Sequence, residues 1–256
     1  MSRGRREKRK QRRRRKLGLP FGILVLILIG IGVTVYRDDL LGNFLPSKQV
    51  QEFTSSSSSS FSSRPKSDLP DVSSKDWELV LVNRKNPKDE MNPKLADVEN
   101  IQVDSRIAEA TQQFLAAARQ IAPEEALNSG YRSVEEQKEL YDQTVAGLEA
   151  AGMSHDEAEQ TTQKQVQIPG ASEHQTGLAI DMSVPTGQSD ELAAQITAIA
   201  PDYGFVLRFP DAKSDITGID FENWHYRYVG VASAKYMQQH NLVLEEYLDK
   251  LKAEGK

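Results

Sequence analysis

Ser172-Glu173-His174-Gln175-Thr176-Gly177-Leu178-Ala179-Ile180-Asp181-Met182 is the stretch on which the reading of this chain turns. Its second half, Leu178 to Met182, is a short apolar run of the kind that forms a buried strand, and it delivers one carboxylate, Asp181, from apolar company. An unpaired carboxylate there is costly, so Asp181 calls for a cation, a cluster of donors or a metal. The first half supplies His174, and Gly177 permits a tight backbone approach between the two. Downstream, Glu222-Asn223-Trp224-His225 brings a second histidine to an aromatic, alternating stretch, Trp224 to Val229, with strand character. Two neutral imidazoles and one carboxylate make a three-ligand zinc set with the fourth position left for water, the layout of a catalytic rather than a structural site. The chemistry expected of such a set is metal-assisted hydrolysis.

The chain has four histidines, and scattered histidines in a domain are ordinarily surface or satisfied core residues. His155 opens a polar segment, Ser154-His155-Asp156-Glu157, with a capping-box pattern, and His240 closes a polar Gln-Gln-His-Asn stretch. Both read as solvated surface residues; His174 and His225 are set apart by their neighbours. Glu222 is the candidate general base. On an ideal strand, positions three apart face opposite sides, so Glu222 joins His225 only if the chain turns or bulges at Glu222 and Asn223. The alternative for Glu222 is a surface glutamate at a strand entry.

Upstream, Ser129-Gly130-Tyr131-Arg132-Ser133 marks a turn, with Ser133 placed to cap a helix that begins at Glu135 and Glu136 and runs through Leu140 and Tyr141. Arg132 is thereby held at a helix entrance, where a fixed guanidinium grips a carboxylate bidentately. A surface salt bridge is the competing reading. Beside a hydrolytic metal site, the arginine suggests an exopeptidase that recognises a free C-terminal carboxylate.

Taken together and in this order, Ser-Gly-Tyr-Arg-Ser, Ser-x-His-x-x-Gly-x-Ala-x-Asp and Glu-x-Trp-His resemble the VanY-type zinc carboxypeptidases that trim D-alanine from bacterial peptidoglycan stem peptides. Trp77 to Asn83 and Trp224 to Gly230 look like the LdcB-type L,D-carboxypeptidases of Gram-positive bacteria, and the resemblance runs from about Trp77 to Leu248. It implies His174, Asp181 and His225 as zinc ligands, Glu222 as catalytic base, and Arg132, Gln137 and Ser172 as holders of the substrate's terminal residue. Two positions depart from the pattern. Arg208-Phe209-Pro210 stands where the family often has Arg-Tyr-Pro, and Asn223 stands where a proline often separates the glutamate from the tryptophan.

The N-terminus indicates where such an enzyme works. Residues 1–16 carry eleven basic groups and one acid, and Leu17 to Tyr36 contains no charge. A helix of about twenty residues at 1.5 Å each is roughly 30 Å long, enough to cross a bilayer core. The charge asymmetry predicts a cytoplasmic N-terminus and an extracytoplasmic remainder. A cleaved secretory signal is the rival, but the run ends at Thr34-Val35-Tyr36-Arg37-Asp38 without a small-residue cleavage site. The basic run also resembles a nucleic-acid patch, but adjacency to the apolar span favours membrane orientation and anionic lipid. With the whole chain at a formal net charge of −5, everything after the arm is acidic, which argues against a nucleic-acid partner. The absence of cysteine excludes disulfides and thiolate metal sites.

The expected organisation is a basic cytoplasmic arm (1–16), a transmembrane anchor (17–36), a serine-rich flexible linker (37–76) and a zinc carboxypeptidase domain (77–256). Strands are expected at Glu78 to Val82, Phe205 to Arg208 and Trp224 to Val229. Helices are expected at Asp104 to Ile121, after Ser133, at Ser154 to Gln165, at Asp190 to Ala200, at Ser233 to Gln239 and at Leu244 to Lys250. The fold class is α+β, a small, mainly antiparallel sheet flanked by helices. The function expected is removal of D-Ala from peptidoglycan tetrapeptides in the Gram-positive wall zone by a single-pass membrane protein. The alternatives are D,D-carboxypeptidase action on pentapeptides and a non-catalytic wall-binding module.

Overall fold

In chain order the elements are β1 (Leu95–Val98), β2 (Ile101–Asp104), α1 (Ala108–Ile121), β3 (Ala126–Ser129), α2 (Val134–Ala150), α3 (His155–Thr162), β4 (Ala179–Ser183), α4 (Asp190–Ile199), β5 (Phe205–Phe209), α5 (Ser214–Thr217), β6 (Glu222–Tyr228), α6 (Val231–Gln239) and α7 (Leu244–Ala253). This computed structural model describes residues 67–256; the arm, the apolar span and the serine-rich segment through residue 66 lie outside the described residues. Among the described residues no helix is long and apolar enough to cross a membrane.

β3, β4, β6 and β5 lie side by side in that order as an antiparallel sheet, and β1 with β2 forms a separate hairpin. Alternation sorts the central strands. Ile180 and Met182 of β4 and Tyr226 of β6 are fully buried against α1, where Phe114 stacks on Phe205 and meets Tyr226 edge-on. Residues of odd number on the same two strands, Asp181 and His225, leave by the opposite face. A second core joins Val206 and Val229 to α6 and α7 through Met237, Leu244 and Leu248. Leu69 and Leu79 belong to it. The packed domain thus starts upstream of Trp77, inside the segment expected to be linker: Leu69 is buried and Lys256 Nζ donates to the Pro70 carbonyl.

Several elements differ from the sequence expectation for identifiable reasons. Trp77–Leu79 is a single 3-10 turn and Glu78 to Val82 forms no strand, because Arg227 reaches over and donates to the carbonyls of Glu78 and Val80. Those groups are satisfied by a side chain instead of a ladder. Helix α1 begins at Ala108, not Asp104. Asp104 ends β2, and its carboxylate accepts from the Arg106 backbone N–H, a local turn that competes with helix. Helix α2 has the expected Ser133 cap, completed by Glu136 as a capping box, and α3 has the same device in Ser154 and Glu157.

Candidate metal centre

Asp181 and His225 sit directly opposite each other on β4 and β6, so their side chains share a face. Asp181 Oδ1 lies 3.1 Å from His225 Nδ1, and Oδ2 lies 3.4 Å from His174 Nε2. His174 comes from a 3-10 turn, Glu173–Thr176, whose entry is capped by Ser172 and whose exit is Gly177 in the left-handed region at φ 68°. A Cβ on Gly177 would stand 2.7 Å from the Asp104 backbone nitrogen, so glycine is needed both for conformation and for space. His174 Nδ1 lies 2.6 Å from the Gly130 carbonyl. A carbonyl only accepts, so Nδ1 carries the proton and Nε2 turns its lone pair toward Asp181. Gly130 in turn is packed so closely on the Gln102 carbonyl that a side chain there would collide with it.

One ligand atom from each of these three residues lies within 4.8 Å of the others. Asp181 Oδ1 is buried and makes no hydrogen bond, since the nearby His225 ring is not aligned to donate to it. An orphaned carboxylate oxygen converging with two imidazole nitrogens, and no thiolate in the chain, fits a divalent metal with N and O ligands such as zinc. Burial pushes the Asp181 carboxyl up, yet the two histidines hold it well below the carboxylate range. Burial pulls His174 down, whereas for His225 the nearby carboxylates of Asp181, Glu222 and Glu173 outweigh burial and raise it.

The bulge that the sequence left as a condition for Glu222 is present. Leu207 pairs with Tyr226 and Phe209 with Glu222, so two steps along β5 match four along β6. The extra residues re-aim the strand. Glu222 Oε2 comes to 3.5 Å from His225 Nδ1, while Trp224 is turned outward and 41% exposed. Glu222 is therefore buried rather than a surface residue. Burial raises its pKa to about 8, with His225 pulling down and Asp181 pushing up. Asn223 donates from Nδ2 to the Gln188 carbonyl and to Asp190 Oδ1, tying the bulge to the start of α4. Phe209 places its ring 4.8 Å from that of His225, so the hydroxyl that a tyrosine would carry is missing beside the centre.

Arg132 is half-buried, and its guanidinium is held by neutral groups rather than in a surface salt bridge, donating to Gln137 Oε1 at 2.7 Å and Ser129 Oγ at 3.0 Å. Its backbone N–H donates to the His174 carbonyl, which links it to the metal turn. Burial lowers its pKa against the raising influence of Asp181, Glu136 and Glu222. Gln137 has both polar ends committed, to Arg132 and to the Gln167 carbonyl, so it orients the guanidinium. Ser172 Oγ accepts from His174 N–H and keeps its own proton to donate. His155 and His240 lie apart from the centre, His155 pairing with Glu149 and His240 stacking on Tyr236.

Sequence reasoning passed over Glu173. It is buried, and its Oε1 accepts from Arg208 Nε at 2.8 Å and from an Arg227 terminal nitrogen at 2.9 Å. Arg208 also makes a two-pronged pair with Glu245. The available signal was an acid directly before His174 together with arginines inside two otherwise apolar or aromatic strands.

A trio that could hold a metal ion, with an adjoining buried carboxylate on one face of a small antiparallel sheet, has the layout of the single-metal hydrolases. More specifically, the chain belongs to the VanY family: the model for D-alanyl-D-alanine carboxypeptidase matches residues 100–231. A D-alanyl-D-alanine carboxypeptidase of Enterococcus faecalis is 38% identical over 182 residues, 68% of this chain and 66% of that one. The carboxypeptidase YodJ of Bacillus subtilis, described as putative, is 38% identical over 154 residues, 57% of this chain and 53% of the relative. The chain thus spans about two thirds or less of the length of these curated relatives. Among solved structures, a Zn(II) complex of the vancomycin-resistance D,D-pentapeptidase VanY from a VanB-type cassette matches at 37% identity and TM-score 0.62, covering 68% of this chain and 99% of that one. The LdcB L,D-carboxypeptidase matches at 32% identity and TM-score 0.53, covering 68% and 86%.

Proposed function

We propose that this protein is a zinc-dependent carboxypeptidase that removes the C-terminal D-Ala from peptidoglycan stem peptides, anchored in the cell membrane by residues 17–36 with the domain outside. The observation that carries the catalytic part is the convergence of His174, Asp181 and His225 with Glu222 brought alongside by the β6 bulge. The intact set argues against a wall-binding module without activity. The membrane part is supported by the basic arm and the uncharged span.

Zinc held by His174 Nε2, Asp181 and His225 Nδ1 would act as a Lewis acid and lower the pKa of a water to about 7. The chain's own residues do the rest. Arg132, oriented by Gln137 and Ser129, grips the free terminal carboxylate with its planar fork. Ser172 is placed to donate its hydroxyl proton to the same terminal residue. Glu222 takes a proton from the attacking water and passes it to the departing amine of D-Ala, the role for which its position beside His225 suits it.

The likeness of Trp77 to Asn83 and Trp224 to Gly230 to LdcB-type enzymes supports the L,D bond of tetrapeptides. The D,D bond of pentapeptides is a second reading, favoured by the higher identity and TM-score of the VanY structure. Mass spectrometry of purified tetra- and pentapeptide muropeptides after incubation with the protein separates them. Loss of one alanine from the tetrapeptide supports the first reading, and loss from the pentapeptide alone supports the second. Loss from neither would overturn the proposal.

A further inference from the structure

Two buried polar atoms in this molecule face each other without a partner. His225 Nε2 makes no hydrogen bond, and neither does Glu173 Oε2; they lie 3.9 Å apart. Orphaned buried groups are uncommon in folded proteins, and two orphans of complementary kind are satisfied together by a small adjustment. The imidazole has its other nitrogen, Nδ1, on the side of Asp181 and Glu222. A carboxylate oxygen only accepts, so the ring nitrogen turned toward Glu173 is the one that must carry the proton.

Glu173 is well built for that task. Its other oxygen is clamped by Arg208 and Arg227, both fully buried and anchored elsewhere, Arg208 on Glu245 and Arg227 on the carbonyls of Glu78, Val80 and Tyr228. Arginines from β5 and β6, themselves tied to α7 and to the turn at Glu78 and Val80, therefore converge on one carboxylate. Its position is set by the fold and not by its own rotamer freedom. With Oε1 accepting from both guanidinium groups, Oε2 is left as an acceptor facing His225.

We propose that Glu173 is a positioning residue for the metal centre: it holds the Nε2 proton of His225 and so commits Nδ1, as a lone pair, to the metal. The proposal rests on the zinc reading above. Gly130 performs the corresponding service for His174, where Nδ1 is the protonated nitrogen and Nε2 the free one. The two histidines thus offer opposite ring nitrogens, each fixed by a buried acceptor behind it.

The test uses the full-length protein labelled with 15N-histidine, as wild type and as Glu173→Gln. In the variant the amide oxygen remains with the two arginines, since an NH2 group facing them would be repelled, and its NH2 group is left opposite His225. A donor in that place favours the other tautomer. In zinc-loaded wild type, His225 should show a protonated Nε2 and a metal-bound Nδ1. Metal-free Glu173→Gln should show the proton moved to Nδ1, and its zinc affinity should fall on the order of 10- to 100-fold. Binding of zinc through His225 Nε2 in the wild type would overturn the proposal, as would wild-type affinity and tautomer in Glu173→Gln. Should the variant fail to fold because the arginines lose their counter-charge, the wild-type spectrum decides alone. A wild-type protein that takes up no zinc would overturn the metal reading, and the role of Glu173 with it.

Discussion

A carboxypeptidase must tell a free terminal carboxylate from an internal peptide bond, and Arg132, held beside the turn that carries His174, is the cation proposed for that task. Arg132→Lys keeps the charge but loses the fork, and Arg132→Ala loses both. A charge-assisted hydrogen bond contributes about 1.5 to 3 kcal/mol, so kcat/KM should fall on the order of ten- to hundred-fold, more for alanine than for lysine, with bound zinc unchanged. Amidating the substrate's terminal carboxylate should penalise wild type by a similar factor and Arg132→Ala little further. An equal penalty on both would show that Arg132 does not hold the carboxylate. The residues of this centre were legible to very different degrees. His174, Asp181 and His225 stand out because each is a polar group in a stretch that otherwise reads as buried strand or tight turn. Glu173 does not, because the arginines that make its burial tolerable lie 35 and 54 positions away. Nothing local to Ser-Glu-His announces them.

At the scale of elements, periodicity found the strands that carry the centre and the longer helices, and capping chemistry placed the start of α2. It missed β1 and β2, whose turn has Glu99 in the left-handed region at φ 51° and lacks the glycine that marks most tight hairpins. It missed β3 as well, a four-residue strand with only Leu127 fully inside. The bulge in β6 was legible only as a requirement of Glu222, since the register with β5 is a property of two strands at once. Gly177→Ala should test the turn between His174 and β4. The combination of φ 68° and a collision with Asp104 N should cost more than about 1 kcal/mol, seen as a lower midpoint in thermal unfolding. Glu125, just before β3, gives a pH-dependent test remote from the metal. It is buried with neither carboxylate oxygen hydrogen-bonded, and burial, partly offset by the Gln188 amide and Arg119, raises its pKa to about 7. A carboxyl raised in the folded state favours folding below its unfolded value near 4.5 and loses that contribution as pH rises through about 7. Glu125→Gln should therefore match wild type near pH 4 and exceed it at pH 8 by on the order of 1 to 3 kcal/mol in denaturant unfolding. A variant less stable than wild type at pH 8 would show that the carboxylate has a partner.

For the whole molecule, the proposed arrangement is a catalytic domain held near the membrane on the outer side by the apolar span. Protease added to intact protoplasts should remove the C-terminal domain, and protection of that domain would reverse the orientation. The α+β class of the domain followed from the sequence because the longer helices and the strands of the centre were sorted by period. The burial of Leu69 did not, because Leu69 sits in a serine- and proline-rich stretch and joins a core made of residues far along the chain, among them Val206, Met237 and Leu248. The central claim is that three residues bind zinc while a fourth carries the proton, and those two tasks separate cleanly. The most direct measurement is zinc content and D-Ala release on the same preparations of wild type, His225→Ala and Glu222→Gln. Wild type should hold one zinc and release D-Ala, and His225→Ala should lose both. Glu222→Gln should keep its zinc while turnover falls on the order of 10²- to 10⁴-fold. Full D-Ala release by Glu222→Gln, or by wild type stripped of metal, would contradict the account.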